Sequence, residues 1–485
     1  MTDKPVLLVV VLDGMRRDLI DHANMPVLRR FMNQGVDCPE SSSVFPSATR
    51  VNSAALGSGA TPGRNGIISN KYFDPGVAGG RMIHTGLFPD IEAAEAAYDG
   101  GYVTTTTLGE AIAEAGLRMA VVSSGSAGTT HLVNPRAAKN GQPAICLRDW
   151  DASQPDDFAK RMLTRFGPVA AEGKPNSERM VQQTTMFIEG VFPEYQPDVT
   201  ILWYNDPDLT FHHKGLGSPE ANSALQALDR EFARLLDWRD SGAGGENVQI
   251  LVVSDHGHLT ARERVTVAPD LKAAGFSIGQ NDDTLVGAIG YMGAIRSMND
   301  DQKHLERLAA GLAEQPWCGL MFSADRNGVE GVIPGTLSRA LLSNDHQRSA
   351  DLYYIMRSDD RLNAAGVDGT CFFQGDMPDG GSIHSGLHRR EMNNLMAFGG
   401  SAFRQNHVSE VPTGIIDVAP TVLHLLGLKA PAAMEGRVVT EALHGNTEDP
   451  VHKSDQFSVE GRAGVMTIRR STTNGVGYIH SGAIS

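Results

Sequence analysis

The sequence predicts an α/β protein: a doubly wound, mostly parallel sheet with helices on both faces and an inserted cap subdomain. Three observations carry that prediction. Residues 5–12 (PVLLVVVL) form a continuous apolar, β-branched run, as a strand buried on both faces requires. Runs of the same kind recur at residues 119–123, 199–204 and 248–254 with helix-period segments between them, the alternation of a parallel sheet. Acidic residues and histidines follow several of these runs, at the strand ends where open α/β sheets place their ligands.

In chain order, Asp13 and Gly14 end the first strand. Residues 24–32 read as a helix with Asn24 as its cap, Pro26 in its first turn and Gly35 beyond its end. Residues 44–67 follow (VFPSATRVNSAALGSGATPGRNGI). Here Thr49 stands between a Ser- and Pro-containing loop and a small-residue helical run, residues 51–56, closed by Gly57 and Gly59. That places Thr49 near a helix N-terminus, where free N–H groups and the helix dipole favour an anion. Residues 107–115 read as a helix closed by Gly116, and residues 181–190 and 221–236 as two more.

From 266 to 379 the rhythm weakens into short mixed segments with a helix at 302–313, the reading that makes this stretch the inserted cap. The main pattern returns as a strand at 395–398 and a helix within 414–428, with Asp417 and Pro420 near its start. The expected organisation is therefore a core of 1–265 and 380–430, a cap of 266–379 and an extension of 431–485, polar and Gly-rich with a strand at 465–468. No internal repeat or low-complexity segment interrupts it.

With 485 residues, 41% hydrophobic and 20% charged, the chain describes a soluble globular protein large enough for a main domain with insertions. A net charge of −15 without a basic run argues against a nucleic-acid polymer as partner, and means that an anionic substrate needs local positive charge, which metal ions supply. The four cysteines are scattered, with neither a disulfide framework nor a thiolate metal spacing. The first apolar run is too short for a membrane span and lacks a small-residue cleavage site, so the expectation is a cytoplasmic protein with no membrane partner. A homo-oligomer stays open.

Four stations besides Thr49 could carry chemistry: Asp13; Asp208 and His212 in NDPDLTFHHKG; Asp255 and His256 in SDHGH; and His384 in GSIHSGLHRRE. Asp and His without Cys are the donor set of Zn²⁺, with Mn²⁺ or Fe as alternatives. Singly, each has an ordinary explanation as a helix cap, a turn residue or a structural histidine. Their combination in one α/β chain is much harder to assign to chance.

These segments resemble the alkaline phosphatase superfamily, and within it the type I phosphodiesterase/nucleotide pyrophosphatase branch. FPSATRVN at residues 45–52 resembles that branch's FPTKTxPN nucleophile motif, DLTFH its D-x-x-x-H, SDHG its DHG, and IHSGL its late metal-binding histidine. GIIDVAPTVLHLLGL is similar to its closing helix, so the likeness runs from about residue 6 to 430. The resemblance implies two divalent metal ions, with zinc as the first choice, about 4 Å apart. One would be held by Asp208, His212 and His384, the other by Asp13, Asp255, His256 and the Thr49 oxygen. Thr49 would attack phosphorus to give a phosphothreonine-type intermediate, and Asn52 would donate to a non-bridging oxygen.

Where histidines neighbour one another, the first of each pair is preferred as ligand: His212 over His213, His256 over His258, and His384 over His388. Arg50 departs from the aromatic residue that often follows the nucleophile in animal nucleotide pyrophosphatases. It is a candidate to bind a second phosphate or carboxylate of the substrate, with a surface salt bridge as an alternative of at least equal weight. The implied activity is hydrolysis of phosphate diesters or pyrophosphate bonds in small, nucleotide-like phosphoesters. A phosphonoacetate-hydrolase-like C–P hydrolase is the alternative, ahead of a phosphomonoesterase or an inactive metal-binding homologue.

Overall fold

The computed structural model describes residues 4–245, 247–276, 285–288, 290–446 and 450–485. Its largest sheet has eight strands: β1 (Val6–Leu12), β2 (Val36–Asp37), β3 (Met119–Ser123), β4 (Ala144–Cys146), β5 (Val199–Tyr204), β6 (Val248–Val253), β7 (Met396–Gly399) and β8 (His407–Val408), in the spatial order β8-β2-β7-β6-β1-β5-β3-β4. All pairings are parallel except the two made by β7. Successive side chains of a strand face opposite ways. Leu7, Val9 and Val11 accordingly enter the core on one face, and Leu8, Val10 and Leu12 the core on the other. The unbroken apolar run is what burial on both faces demands.

Register decides where the chemistry emerges. Leu12 lies opposite Tyr204, and Val11 opposite Val253, so β1, β5 and β6 end on one edge. Beyond that edge the Asp13 N–H donates to Tyr204 O at 3.0 Å, and the Asp208 N–H to Asp13 O at 3.0 Å. Gly14 turns the chain away with φ +70°; a Cβ there would sit 2.5 Å from His258 Nε2. Only glycine fits that position.

Helix α1 (Pro26–Gln34) starts two residues later than the sequence suggests, and Asn24 does not cap it. The carboxylate of Asp229, on the long helix Pro219–Asp240, instead accepts the Val27 and Leu28 N–H groups at 3.0 and 2.8 Å. A cap supplied from another element leaves no local signal. Helix α2 (Thr49–Ser58) has Ala48 at its cap position and Gly59, in the left-handed conformation, at its end. Its small residues allow close packing: a Cβ at Gly57 would lie 2.2 Å from Val133 O. Buried at every position except Arg50, α2 is a rigid mount for Thr49.

The second half is richer in strands than its weak patterning suggests. Strands Leu285–Ala288, Met292–Ser297, Cys318–Ser323, Leu337–Ser338 and Leu352–Met356 form a five-stranded sheet beside the expected helix, Gln302–Ala313. A four-stranded sheet joins Leu259–Arg264, Ser358–Leu362, Asp368–Phe373 and Ser382–Ile383, so strands from both sides of the 265/266 and 379/380 divisions share one sheet. The C-terminal stretch is a meander of three long antiparallel strands, His452–Gly461, Gly464–Thr473 and Val476–Ile484, rather than one short strand in a polar tail. Mostly polar residues face out while Val459, Met466, Ile468, Tyr478 and Ile479 are buried. No described helix is long and apolar enough to cross a membrane.

Candidate metal centre

At the C-terminal edge of the main sheet, two groups of side chains converge, each with its donor atoms within 4.8 Å of one another: Asp208, His212, His258 and His384, and Asp13, Asp255 and His256. The first is arranged around a single oxygen. Asp208 Oδ1 lies 2.9 Å from His258 Nε2, 3.2 Å from His212 Nε2 and 3.4 Å from His384 Nε2. Asp208 and His212 are one turn apart on helix Asp208–Lys214 and so share a face. His384 arrives because strand Ser382–Ile383 pairs antiparallel with Leu259–Thr260.

Each imidazole is aimed by its other nitrogen. His212 Nδ1 lies 2.7 Å from Ser382 O, His258 Nδ1 2.9 Å from Ser382 Oγ, and His384 Nδ1 2.8 Å from Ser47 O. Such outer contacts set ring orientation and leave Nε2 facing the centre, the arrangement of metal-binding histidines.

The second group has Thr49 as its fourth corner. His256 Nε2 is 3.2 Å from Asp255 Oδ2 and 3.7 Å from Asp13 Oδ1. Thr49 Oγ1 is 3.1 Å from His256 Nε2 and 3.5 Å from Asp13 Oδ1. Trp203 Nε1–H donates to Asp13 Oδ2 at 2.9 Å, and the Gly14 and His256 N–H groups to Asp255 Oδ1 at 2.9 and 3.0 Å. Asp255 Oδ2 is buried without a hydrogen-bond donor. The His256 and His384 rings stack with centroids 3.7 Å apart and so join the two groups.

The electrostatics point the same way. Burial, then the charges of Asp255 and Asp208, hold the Asp13 carboxyl well above its usual range. Burial also raises Asp255, against the pull of His256. For Asp208, burial is outweighed by His212 and His258, which draw it well below the usual carboxylate range. Burial, with His256 next, pushes His384 well down, and burial pushes His258 down to about 3, so both are neutral and can offer a lone pair. Buried carboxylates facing each other, a carboxylate oxygen with no donor and neutral inward-facing imidazoles together fit divalent cations.

All of the expected ligand residues thus meet. His258 is an addition: the sequence reading prefers His256 as ligand, yet His258 joins the Asp208 group. His256 and His258 lie in an irregular segment after β6, their ring centroids 5.6 Å apart, and each serves a different group. His213 lies outside both groups. His388 faces another cleft, 3.2 Å from Asp360 Oδ1, and its Nδ1 accepts the Arg390 N–H at the start of a short helix. We expect His258→Gln to weaken cation binding about 10- to 100-fold. His388→Gln should leave metal content unchanged; metal analysis giving the reverse order would exchange their roles.

Asn52 is corrected. Its Oδ1 accepts the Val44 N–H at 2.9 Å, while Nδ2 donates to Ala48 O at 3.1 Å and Pro46 O at 3.3 Å. It does share a helix face with Thr49, but the loop before α2 wraps that face and uses up the amide. Among the cleft residues that sequence reasoning missed are Lys71 and Asn70. Asn70 lines an open cleft of about 330 Å³ with Thr49, Asp208, His212 and His384, and its Oδ1 accepts the Arg50 N–H at 3.1 Å. No local pattern marks it.

Comparison with known proteins gives a consistent set of likenesses. Residues 7–355 match the model of a family described as type I phosphodiesterase/nucleotide pyrophosphatase. An uncharacterized pyrophosphatase/phosphodiesterase of Schizosaccharomyces pombe is 23% identical over 253 residues, 52% of this chain and 44% of that protein. Human ectonucleotide pyrophosphatase/phosphodiesterase family member 5 is 21% identical over 268 residues, 55% and 48% of the two chains. The matching part therefore spans about half the length of these curated relatives. The structure of murine ectonucleotide pyrophosphatase/phosphodiesterase 5 superposes with a TM-score of 0.60 at 18% identity, covering 88% of this chain and 96% of that one. An inactive variant of the murine protein in complex with AMP gives 0.61 at 17%, with the same coverage. At these identities the superpositions show a shared fold.

Proposed function

Because this chain belongs to the type I phosphodiesterase/nucleotide pyrophosphatase family, we propose that it is a metal-dependent hydrolase of phosphate diesters or pyrophosphate bonds in small molecules, with Thr49 as nucleophile. The observation that carries this reading is the Thr49 hydroxyl, buried at the fourth corner of the Asp13–Asp255–His256 group. Divalent cations held by the two groups, with Zn²⁺ the best match to Asp and His donors, would make the hydroxyl more acidic and neutralise charge on the phosphoryl and leaving oxygens.

The chain's own groups do the remainder. Helix α2 fixes Thr49 at its first position, and the β-branched side chain restricts the hydroxyl to few rotamers. Asn52 ties the preceding loop to that helix and so holds Thr49 in place. With Asn70 Oδ1 occupied by the Arg50 N–H, its Nδ2 is the donor left for a non-bridging phosphoryl oxygen. The Thr49–phosphorus bond forms as the bond to the leaving oxygen breaks, and the leaving oxygen takes up the proton that the hydroxyl loses. Thr49 then carries a phosphoryl that keeps the substrate's other arm. Water breaks the Thr49–phosphorus bond to restore the hydroxyl and release that arm as a monoester. A nucleotide-like substrate is a further expectation, supported by the AMP in the murine complex.

A panel of diesters, monoesters, nucleoside polyphosphates and phosphonates on the zinc-loaded protein tests the reading. Diesters or pyrophosphates should exceed monoesters at least about tenfold in kcat/KM, and a monoester preference of that size would overturn it. Asn70→Ala should lower kcat about 10²- to 10³-fold, the cost of losing one transition-state donor. Asn52→Ala should instead destabilise the fold, since it strands the Val44 N–H. A large kcat loss at Asn52 with none at Asn70 would reverse the assignment.

A further inference from the structure

The cleft beside Thr49 holds two cations that the protein leaves unmatched. Arg50 follows the nucleophile on α2 and lines the cleft; its Nε is shut off from solvent without a hydrogen-bond partner. Among the described residues, its guanidinium makes no ion pair and no side-chain hydrogen bond. Lys71 lines the same cleft and is equally without a carboxylate. It opens strand Lys71–Asp74, which pairs antiparallel with Arg81–His84 so that Lys71 stands opposite His84. A Cβ built at Gly86 would lie 3.1 Å from the His84 ring and 3.6 Å from Arg50 Nε, which brings Arg50 against the same hairpin.

Elsewhere the chain pairs its buried arginines. Arg16 reaches Asp18 and Asp368 at 2.6 and 2.8 Å, and Arg437 reaches Glu441 at 2.6 Å. Arg50 itself is half-buried, but its Nε is sealed from water with no acceptor, which is costly unless a ligand supplies one. Consecutive helix residues diverge by about 100°, so Arg50 reaches to the side of the group that Thr49 attacks. Its partner is therefore a neighbouring group of the substrate rather than the reacting phosphoryl.

We propose that Arg50 and Lys71 form a second anion subsite, so that preferred substrates carry a further anionic oxyacid group, phosphoryl or carboxylate, close to the scissile phosphorus. This rests on the assignment of Thr49 as nucleophile, because that assignment fixes where the reacting group lies. Arginine presents a planar fork to such an oxyacid, and lysine adds a point charge. A single-charge diester with apolar arms leaves both cations unmatched.

The test is calorimetric binding to the zinc-loaded full chain, with inorganic phosphate, imidodiphosphate and phosphonoacetate as probes. Wild type should bind at least one of the two larger anions about 10- to 100-fold more tightly than phosphate. That ratio should shrink in R50Q and in K71Q and vanish in the double variant, while R50K keeps part of it. Preference for imidodiphosphate identifies the second group as phosphoryl, and preference for phosphonoacetate identifies it as carboxylate. Equal binding of all three probes by wild type overturns the subsite. So does an equal loss for all three in R50Q, which would put Arg50 on the reacting group. Each titration is run in the Thr49→Ala background, where wild type means that Arg50 and Lys71 are intact. That background keeps the metal and turns nothing over, so the substrate panel can fail while the subsite stands, and the reverse. Thermal unfolding of each variant separates a lost contact from a lost fold.

Discussion

Thr49→Ala is expected to lower kcat on the order of 10⁴-fold or more, the scale on which covalent enzymes lose their nucleophile, while zinc content and fold persist. The persistence follows from the structure. Thr49 stands at the first position of its helix, the cap position is Ala48, and no side-chain cap is made there. Its hydroxyl points instead to His256 and Asp13. Removing it therefore costs little stability, whereas Asp13, Asp255 and His256 still bind a cation. Thr49→Ser should retain turnover within about 10²-fold, because serine keeps the oxygen and loses only the methyl that restricts rotation. Rapid quench of the wild type with a labelled diester should capture label on Thr49, and T49S should carry it on the new hydroxyl. Alanine activity within tenfold of wild type would make Thr49 a structural residue and water the nucleophile.

Much of this centre was legible because parallel strands carry their register with them. Once residues 5–12, 199–204 and 248–254 are read as neighbours in one sheet, Asp13, Asp208 and Asp255 must emerge on the same edge. His212 follows from helical spacing and His384 from its motif. His258 was hidden by preference for a single histidine in SDHGH, and the irregular backbone there has no period from which its direction could be read. Asn70 and Asp229 were not readable, since each acts across a long stretch of chain on a backbone N–H of another element. Asn52 shows the converse limit: periodicity gave the correct helix face, but not what packs on it.

The same contrast separates the two halves of the fold. Strands buried on both faces announce themselves by unbroken apolar runs. Strands His452–Gly461 and Gly464–Thr473 are half exposed and rich in Ser, Thr and charge, so they read as polar tail. Their order comes from partners: Met466 Sδ accepts the Met321 N–H at 3.3 Å, and Tyr478 OH donates to Asp417 at 2.8 Å. Asp417 also accepts from Thr413 and from the Gly414 and Arg437 N–H groups, tying the meander to the closing helix. Such a sheet is specified by tertiary contacts more than by its own pattern.

Chelation of the zinc-loaded protein is expected to abolish turnover and to lower Tm, by an amount that grows as pH rises above about 4. At a free cation concentration 1,000-fold above Kd, bound metal stabilises by about 4 kcal/mol for each site. The pH dependence comes from Asp13 and Asp255. Without a cation, burial raises both above the ordinary aspartate value, and Asp13 is raised further by its acidic neighbours. The lowered His258 and His384 are neutral with or without a cation and cancel in the difference. At Asp13 and Asp255 the folded chain retains protons that the unfolded chain has released. Their contribution to the metal-free fold is therefore present below the unfolded value and lost as pH climbs through the raised folded values. His212 adds in the same sense. Its imidazole is raised because Asp208 outweighs the opposing effect of burial, and the ion pair they make is lost as pH rises through that folded value. Cations replace those protons, so the loaded protein does not share the loss, and deprotonated ligands bind metal more tightly. Thermal unfolding of loaded and chelated protein at pH 4.5, 6 and 8 reads the gap directly, and Zn²⁺ or Mn²⁺ should restore activity. A gap that stays constant with pH would mean that the carboxylates are not charge-compensated by metal, and full activity in the chelated protein would remove the cations from the reaction.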